Sequence, residues 1–530
     1  MMTRKFIWKG NSNKGIHLVG WNVVTKSKED GGLGVRLARE ANTAMLGKLV
    51  WGLQQQSDKP WVHMLQDKYL HNRPLLNSKR KFGSPIWNSI YKAKLALLDG
   101  FYYRIGDGNS SFWYTPWIFK DPLCKSLDYV AIQDSQLRLK DVFFNDSWHL
   151  NQLYTPLPID IKNLISNFHP MLNVGVPDCF TWNGSLDGVY TASSGYSWLL
   201  KKKQENPNNK SWKWIWNLRA PEKIKFFIWC ICHNSIPTLD MLHHRHLAQS
   251  NICSRCLANV ETTLHCLRDC PDAARIWDAI GFRNGEFYSQ MNLDLWLINN
   301  VKGSGAQLFV AALWWNWRAR NIVCVGKENI SLYKIVLEVH KLADIIHSCF
   351  PGSIQTNDSM RWISWHPSRQ EGYVLNVDGS CLGTSSRTGF GGLIRRSDGS
   401  WIIGFSGYLG LKDNTFTELM TIYHGLKIAR DLGFSSILCY SDSQTVLDLI
   451  LKGHNIYHCY AVVITNIQDM LKLNWDITLS HSLREGNFSA DWLAKLGSAN
   501  DTKIKIWESP PEALKSILLS DALRVLHPRA

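Results

Sequence analysis

Residues 373–380 read YVLNVDGS, and this stretch decides how the C-terminal part of the chain is expected to fold. Apolar and polar residues alternate up to Asp378, which is the pattern of a β-strand. Burying a carboxylate at the end of such a strand costs free energy unless a cation or another partner compensates its charge. The partner of Asp378 therefore has to come from elsewhere in the chain or from solution.

Three further acids occur at comparable places downstream of Asp378. Asp442 follows a short apolar strand, Glu418 lies in the first turn of a predicted helix, and Asp491 lies in the last predicted helix. No Lys or Arg is placed to match these acids, so a metal ion is the expected partner. An oxygen-only ligand set suits Mg²⁺ or Mn²⁺ rather than zinc. Two such ions can activate a water and stabilise the leaving oxygen in phosphodiester cleavage.

The segments around these acids predict an α/β domain. Apolar periodicity gives the following strands and helices: strands at 373–378, 391–396, 401–408, 437–440 and 475–479, and helices at 416–432, 444–451, 461–471 and 487–496. Three consecutive strands followed by a strand–helix crossover imply a mixed five-stranded sheet with helices on both faces. In such a sheet the side chains of Asp378 and Asp442 can converge at neighbouring strand positions.

Taken singly, each of these residues has an ordinary explanation. An aspartate at a strand end is commonly a turn or cap residue, and Glu418 would be favourable near the positive end of a helix dipole. His481, ten residues before Asp491, would by itself be a surface histidine. Near four converging acids, however, its imidazole could transfer a proton. The prediction of a site therefore depends on the joint pattern.

This joint pattern resembles the type 1 RNase H family, in the version found at the end of plant LINE-type retroelement proteins. The matching strings are LNVDGS, GFGGLIRRSDGSWI, GFSG, TELMTIYHGLKIARDLGF, YSDSQTV and HSLREGNFSADWLAKLG, in the order of the family between residues 375 and 497. The resemblance implies an RNase H-like fold and two Mg²⁺ (or Mn²⁺) ions bound by the four acids Asp378, Glu418, Asp442 and Asp491. It also implies that His481 assists proton transfer or product departure.

The same resemblance implies a substrate and its contacts. The expected reaction is hydrolysis of the RNA strand of an RNA–DNA hybrid, in which the 2′-OH distinguishes RNA. Asn414 would contact the minor groove of the hybrid, and Gly379 and Ser380 would let the backbone approach it. The tyrosine in YSDS departs from the usual family pattern. A Lys-rich insertion between the two central helices is missing from the sequence, so affinity for the hybrid is expected to depend on the basic upstream region.

A second cluster of possible ligands lies in residues 251–270, NICSRCLANVETTLHCLRDC. Cys253, Cys256, His265 and Cys270 have the number and spacing of tetrahedral zinc ligands. Because Cys266 adjoins His265, spacing does not fix the ligand choice, and unrelated buried thiols are the alternative. The region resembles the zinc-binding segment that follows reverse transcriptase in plant retroelements, which implies a structural Zn²⁺ held by the first four residues.

Composition favours a nucleic-acid partner. The 530 residues carry a net charge of +15 and 25 tryptophans. Residues 371–498 hold ten Lys and Arg against twelve Asp and Glu, so the positive excess lies almost wholly upstream. Basic charge with aromatic residues suits nucleic acid, although a basic soluble surface would look the same. Thirteen cysteines without a secreted-type pattern, no signal peptide and no apolar membrane-spanning run predict an intracellular protein, nuclear or cytoplasmic, without membrane contact.

The chain is expected to divide into consecutive segments. Residues 1–125 resemble the segment downstream of a reverse transcriptase and are expected to be an α+β remnant, with GGLG at 31–34 in a packing or turn role. The expected divisions are 1–125 remnant, 126–204 connecting region, 205–285 zinc-binding region and 286–350 helical connector, both mostly α, then 351–372 linker, 373–498 RNase H domain and 499–530 tail. No Tyr-x-Asp-Asp polymerase motif occurs, which excludes a working reverse transcriptase in these residues.

The sequence thus predicts a retroelement-derived, metal-dependent endonuclease that hydrolyses the RNA strand of RNA–DNA hybrids. The alternative is a non-catalytic nucleic-acid-binding remnant, which retention of all four acids disfavours. A DNA exonuclease or transposase of the wider superfamily is a weaker alternative. A proofreading exonuclease would carry Asp-x-Glu in its first strand, and residue 380 is serine.

Overall fold

The chain forms two compact units, each built from two separate stretches of sequence. A computed structural model describes residues 7–8, 15–71, 74–78, 83–202, 211–303, 305–326, 328–350, 361–366, 372–382 and 387–529. Unit 1 consists of residues 1–38 and 204–357, and unit 2 of residues 39–203 and 358–530. This differs from the predicted consecutive segments, because the predicted remnant 1–125 is divided between the two units.

Unit 1 is almost entirely helical, as predicted for the zinc-binding and connector regions. Its helices are Trp21–Val24, Lys213–Trp216, Glu222–Cys232, Leu239–His244, Pro271–Ala279, Gly285–Ser289, Leu293–Val301, Ala306–Cys324 and Leu332–Cys349, with a π-helical turn at His265–Asp269. One continuous apolar core joins them, and it includes the fully buried Trp229 and Trp277.

The GGLG segment explains why residues before 39 belong to unit 1. The indole N–H of Trp229 donates a hydrogen bond to the carbonyl of Gly31, at 2.8 Å. Gly31 has φ +84°, and a Cβ on Gly32 would lie 2.1 Å from the carbonyl oxygen of Lys26. The positive φ and this close backbone approach require glycine, so the predicted packing and turn role is confirmed.

Residues 39–203 of unit 2, here called the upstream subdomain, are α+β. Their helices are Ala38–Gln54, Pro60–Leu65, Pro85–Leu97, Leu139–Val142, Ile159–Asn167 and Ala192–Lys201, with a π-helical turn at Gln66–Leu70 and paired strands Phe101–Arg104 with Cys179–Trp182 and Phe143–Phe144 with Ser147–Trp148. Trp87 and Trp182 lie fully buried in one of its cores. The expected α+β character is therefore present.

The remainder of unit 2 is an RNase H-like domain with a mixed sheet. Its elements are β1 Tyr373–Leu382, β2 Arg387–Arg396, β3 Trp401–Leu411, α1 Asn414–Asp431, β4 Ser436–Ser441, α2 Gln444–Lys452, α3 Ala461–Leu471, β5 Asp476–His481, α4 Phe488–Ala499, β6 Lys505–Trp507 and α5 Lys515–Ala522. The strand order is β5-β4-β1-β2-β3-β6, with β5, β4 and β1 parallel and the other neighbours antiparallel. The predicted fold class is confirmed.

Helices cover both faces of this sheet because the side chains of β1 alternate between two cores. Leu375 and Val377 are fully buried in the core that contains α1, α2 and α3. Val374 packs with Trp365 on the other side. Leu393 of β2 packs there against α4 and α5.

The sheet has six strands rather than five, because the predicted tail takes part in the domain. Strand β6 pairs with β3, and a short strand His527–Arg529 pairs with Arg361–Ile363 from the predicted linker. Residues 351–360 and 367–371 of that linker lie outside the described residues. The folded domain therefore extends beyond the predicted boundaries 373 and 498.

Buried charge explains why the tail belongs to the domain. Arg395 of β2 has no exposed surface, and its Nη1 donates a hydrogen bond to Asp521 Oδ2 of α5 at 2.8 Å. A buried guanidinium without an opposite charge would be strongly destabilising. The position of α5 is thus tied to the core of the sheet.

Three element boundaries near the predicted site differ from expectation. Strand β1 continues to pair with β2 as far as Leu382, so Asp378 lies within the strand rather than at its end. Helix α1 begins at Asn414, which places Glu418 in its second turn rather than its first. His481 is the last residue of β5 and not part of a loop. No helix among the described residues is long and apolar enough to cross a membrane.

Candidate metal and nuclease site

The predicted acidic residues meet where the parallel strands of the sheet end. Asn376 of β1 and Tyr440 of β4 are the last paired residues of these two strands. Asp378 and Asp442 each lie two residues further on, so the register alone makes them neighbours. The parallel strand β5 ends beside them, because His481 pairs with Ser441.

Three carboxylates converge at this edge. Oxygen atoms of Asp378, Glu418 and Asp442 all lie within 4.8 Å of one another. Asp378 and Glu418 are each only 4% exposed, and Asp442 is partly buried. Glu418 reaches the cluster because helix α1 packs closely on β1, where a Cβ on Gly379 would lie 3.0 Å from Thr417 Cγ2.

The electrostatics of the cluster oppose ionisation of all three groups. Burial, followed by repulsion from the neighbouring carboxylates, raises the pKa of Asp378 well above its usual range. Burial raises the pKa of Glu418 as well, and the charge of Asp442 adds to the effect. Burial also raises the pKa of Asp442. A bound cation would relieve this repulsion, because opposite charge favours the ionised form.

One oxygen of Glu418 indicates whether the three carboxylates are suited to a metal ion. The backbone N–H of Gly379 donates a hydrogen bond to the Glu418 carboxylate. Oε2 of Glu418 is buried and has no hydrogen-bond partner among the residues that the structure describes. A buried, unsatisfied acceptor costs free energy. Together with an all-oxygen donor set, this orphaned atom fits a hard divalent cation such as Mg²⁺.

Asp491 is not part of the three-residue group. Its Oδ2 lies 2.5 Å from Lys495 Nζ, one turn further along α4, and its Oδ1 lies 3.6 Å from an Arg484 nitrogen. Asp491 is nevertheless close enough for its charge to raise the pKa of Asp378. The expectation that no Lys or Arg accompanies the acids is therefore wrong for this residue. The spacing of four between Asp491 and Lys495 is the sequence signal that would have shown it.

His481 lies beside Asp442 with an exposed ring. Its Nε2 lies 3.1 Å from the backbone carbonyl oxygen of Asp442, which can only accept a hydrogen bond. Nε2 is therefore the donor in this contact. The histidine is placed at the rim of the carboxylate cluster, as the sequence predicted.

The predicted nucleic-acid contacts lie along the same rim. Asn414 is exposed and is the first residue of α1, while Cys381 donates a weak hydrogen bond to its Oδ1 at 3.6 Å. Ser380 is buried in β1 and Gly379 is partly buried. The absence of a side chain at Gly379 also permits the approach of α1 described above, a packing role that the sequence did not reveal.

Asn487 is a further residue near the site that the sequence analysis did not single out. It is 1% exposed, its Nδ2 donates to the carbonyl of Val377 at 2.9 Å, and its Oδ1 accepts from Asn376 Nδ2 at 3.0 Å. Two guanidinium nitrogens of Arg395 donate to Asn376 Oδ1. This buried network holds the start of α4 against β1, next to Asp378.

The second candidate site, in unit 1, contains all four predicted zinc ligands. The ligand atoms of Cys253, Cys256, His265 and Cys270 lie within 4.8 Å of one another. The Sγ atoms of Cys253 and Cys270 are 3.9 Å apart, and Cys256 Sγ is 3.4 Å from His265 Nε2. Three thiols and one imidazole in this arrangement fit a closed tetrahedral zinc site.

The neighbouring cysteines and histidines play other roles. Cys266 is fully buried in the apolar core, and burial raises the pKa of its thiol to about 12. Cys230 lies in the same core. The HHRH stretch at 243–246 is exposed, and Arg245 donates hydrogen bonds to the backbone carbonyls of His17 and Leu18. The spacing of the cysteines did not exclude Cys266 as a zinc ligand. Its thiol faces the apolar core and lies outside the four-residue group, which favours Cys253, Cys256, His265 and Cys270 as the ligands.

Comparisons with known proteins match both regions. The family model for zinc-binding in reverse transcriptase matches residues 190–277, and the model described as reverse transcriptase-like matches residues 376–497. A protein of Arabidopsis thaliana that is named for ribonuclease H is 28% identical, and the match covers 100% of this chain and 88% of that protein.

Solved structures also match part of the chain. RNase H1 of the archaeon Halobacterium salinarum is 22% identical, with a TM-score of 0.22, over 24% of this chain and 96% of that one. The N-terminal RNase H domain of a Mycobacterium tuberculosis protein is 21% identical, with a TM-score of 0.23, over 24% of this chain and 93% of that one.

The two matched modules occur in the order expected from the sequence, with the zinc-binding module first. These matches support a retroelement-derived protein in which a region similar to the reverse-transcriptase zinc-binding family precedes an RNase H-like fold.

Proposed function

We propose that this protein is a metal-dependent endonuclease that hydrolyses the RNA strand of RNA–DNA hybrids. The observation that carries the proposal is the convergence of Asp378, Glu418 and Asp442, with one buried oxygen of Glu418 unpartnered, at the ends of the parallel strands. A structural role would not require two buried acids and a partly buried one to converge without a cation.

In this proposal these three carboxylates, with Asp491, hold two Mg²⁺ or Mn²⁺ ions. When bound, the ions supply a nucleophilic hydroxide and stabilise charge on the phosphate. The chain itself contributes the fixed oxygens, because Asp378 and Glu418 are immobilised by burial in β1 and α1. In this proposal His481, whose ring is exposed at the rim of the site, takes up or delivers a proton.

The hybrid would lie across the rim formed by the start of α1 and the end of β1. Asn414 is exposed there and has an amide that can donate to and accept from groups in a shallow minor groove. Gly379 and Ser380 leave little side-chain bulk beside it. An RNA–DNA hybrid is therefore the first substrate class to test.

The zinc ion proposed for unit 1 has a structural role. Cys253, Cys256, His265 and Cys270 supply four protein ligands, which leaves no open position for a reactive water. The ion would fix the turn that contains the first two cysteines against the π-helical segment His265–Asp269.

The direct test is cleavage of a labelled RNA–DNA hybrid in Mg²⁺ by the full chain. Asp442→Asn should reduce the rate by about 10²- to 10³-fold, because a fixed charge at the reacting phosphate is lost. Asp448→Asn is the matched control, since Asp448 is a partly buried aspartate of α2 that pairs with Lys452 and is not one of the three converging acids. Its rate should equal that of the wild type.

Three results would contradict the proposal or part of it. Equal cleavage by wild type and Asp442→Asn would show that the product comes from another nuclease. Tight binding of the hybrid by the wild type without any cleavage in Mg²⁺ or Mn²⁺ would favour the non-catalytic nucleic-acid-binding remnant. Cleavage of double-stranded RNA or DNA at the same rate as the hybrid would remove the assigned specificity.

A further inference from the structure

The upstream subdomain holds one loop of the RNase H-like domain. This loop, residues 453–460, connects α2 and α3. Arg104, 6% exposed, donates from Nη1 to the carbonyls of Ile456 and His458, at 2.6 and 3.0 Å. Its Nη2 donates to the carbonyl of Pro177 at 2.9 Å, within the upstream subdomain. A guanidinium shared among three carbonyls fixes both sides of the contact.

The same contact continues through the backbone on either side. The N–H of Cys459 donates to the carbonyl of Leu186 at 3.2 Å. Gly188 has φ +68°, and a Cβ there would lie 1.7 Å from the carbonyl oxygen of Tyr457. Such a close approach leaves no room for a side chain. The loop is therefore fitted against the upstream subdomain along most of its length.

The last residue of the loop connects it to helix α1. The hydroxyl of Tyr460 donates a hydrogen bond to Asp413 Oδ2, and its ring lies 5.1 Å from that of Phe416. Asp413 is the N-cap of α1, because its Oδ1 accepts from the backbone N–H of Phe416 at 2.9 Å. One carboxylate thus joins the loop to the first turn of the helix.

Helix α1 carries two of the residues to which the proposed function assigns roles, Asn414 in its first turn and Glu418 in its second. We propose that the upstream subdomain, acting through Arg104, the loop 453–460 and Tyr460, positions the start of α1 for binding the RNA–DNA hybrid. This inference rests on the proposed function. Arg104 and Tyr460 are positioning residues in it, since neither is placed among the reacting groups.

The composition of the loop supports this role. Residues 453–460 read GHNIYHCY and contain no Lys or Arg, so the loop brings no permanent positive charge to a phosphate backbone. Burial lowers the pKa of His458 to about 4, with a further contribution from His454, so this imidazole is neutral at pH 7. A loop with these properties is suited to an internal contact.

The test compares steady-state cleavage of the hybrid by Arg104→Ala, Tyr460→Phe and the double variant of the full chain. Loss of one hydrogen-bonded link should raise KM by about threefold to tenfold, with kcat within about twofold of the wild type. The double variant should be no worse than the more impaired single variant, because both residues act along one path.

Asn173→Ala is the matched control. Asn173 lies in the upstream subdomain and donates to Asn466 and Asp469 of α3, at 2.7 and 2.8 Å, so it contacts the same domain away from Asp413. This variant should leave KM unchanged. An equal rise in KM for Asn173→Ala and Arg104→Ala would overturn the proposed path and indicate general loosening.

A second measurement does not depend on turnover. Hydrogen exchange at the amides of Phe416, Thr417 and Glu418 should be faster in Arg104→Ala and Tyr460→Phe than in Asn173→Ala. Thermal unfolding curves should first show that all variants are folded at the temperature of the exchange measurement. Unchanged exchange in folded Arg104→Ala would overturn the inference. If the wild type does not cleave the hybrid, that result counts against the proposed function, and hydrogen exchange still decides the coupling to α1.

Discussion

The two clusters of potential metal ligands differ in how the pKa values of their members are shifted. In unit 1, the contact between Cys253 and Cys270 lowers the pKa of the first thiol and raises that of the second. In unit 2, the pKa values of three carboxylates are all raised, and one oxygen has no partner among the described residues. We expect the sulfur cluster to be a closed structural site, whereas the carboxylates of unit 2 repel one another and a bound cation would relieve that repulsion.

The largest expected effect comes from breaking the closed cluster. Structural zinc contributes on the order of 10 kcal/mol to the folding of small domains, so Cys253→Ser should unfold the surroundings of the site in unit 1. Metal analysis should find one zinc ion per chain in the wild type and none in the variant. Circular dichroism should show a loss of helix content.

The control for this experiment is Cys349→Ser, at an exposed cysteine of unit 1 outside the cluster. It should retain both zinc and helix. A Cys253→Ser protein that keeps its helices without metal would show that the four residues pack together without needing zinc. The sulfur cluster would then not be a metal site, unlike the site proposed for the carboxylates.

A smaller effect on stability is expected from breaking the buried ion pair between Arg395 and Asp521 in unit 2. Removing Asp521 leaves Arg395 buried without its partner, so Asp521→Ala should lower the free energy of unfolding by about 3–5 kcal/mol. Urea denaturation of the full chain measures this. Asp501→Ala removes the exposed partner of Arg387 and should cost less than about 1 kcal/mol. Equal losses for the two variants would mean that burial of the pair has no energetic importance.

The smallest effect has the opposite sign. In EDTA, Asp442→Asn should raise Tm by a few degrees, corresponding to about 1 kcal/mol, because it removes one of three mutually repelling carboxylates. In Mg²⁺ the wild type should gain more stability than the variant, since it keeps the ligand. Differential scanning calorimetry in both buffers tests this, and a variant less stable than wild type in EDTA would contradict stored repulsion.

The sequence was sufficient to predict the sheet and the carboxylate cluster. Alternation with period two identified the strands of the RNase H-like domain, and the end of a parallel strand is a place where acids from separate segments meet. The same reasoning missed the continuation of β1 past Asp378, because residues 379–382 (GSCL) do not alternate, and their pairing depends on β2.

Other features depend on contacts that local patterns do not contain. Asp521 appears ordinary in its own segment, and only the buried position of Arg395 gives it a role. The choice of Cys270 rather than Cys266 as a ligand depends on which thiol faces the apolar core. The division of the N-terminal region depends on Trp229 packing at Gly31. In each case the role of the residue depends on a contact with a residue that is distant in the sequence.

The pairing of Arg361–Ile363 with His527–Arg529 has a consequence for how this domain is made. Strand β6 and helix α5, with Asp521, also follow the last residue of α4. A growing chain therefore cannot complete the sheet, or neutralise Arg395, until residues near 529 have been synthesised. Folding contacts of such long sequence separation are slow to form. Messages truncated after residue 498 would yield chains that contain every proposed catalytic residue and still lack a stable fold to hold them.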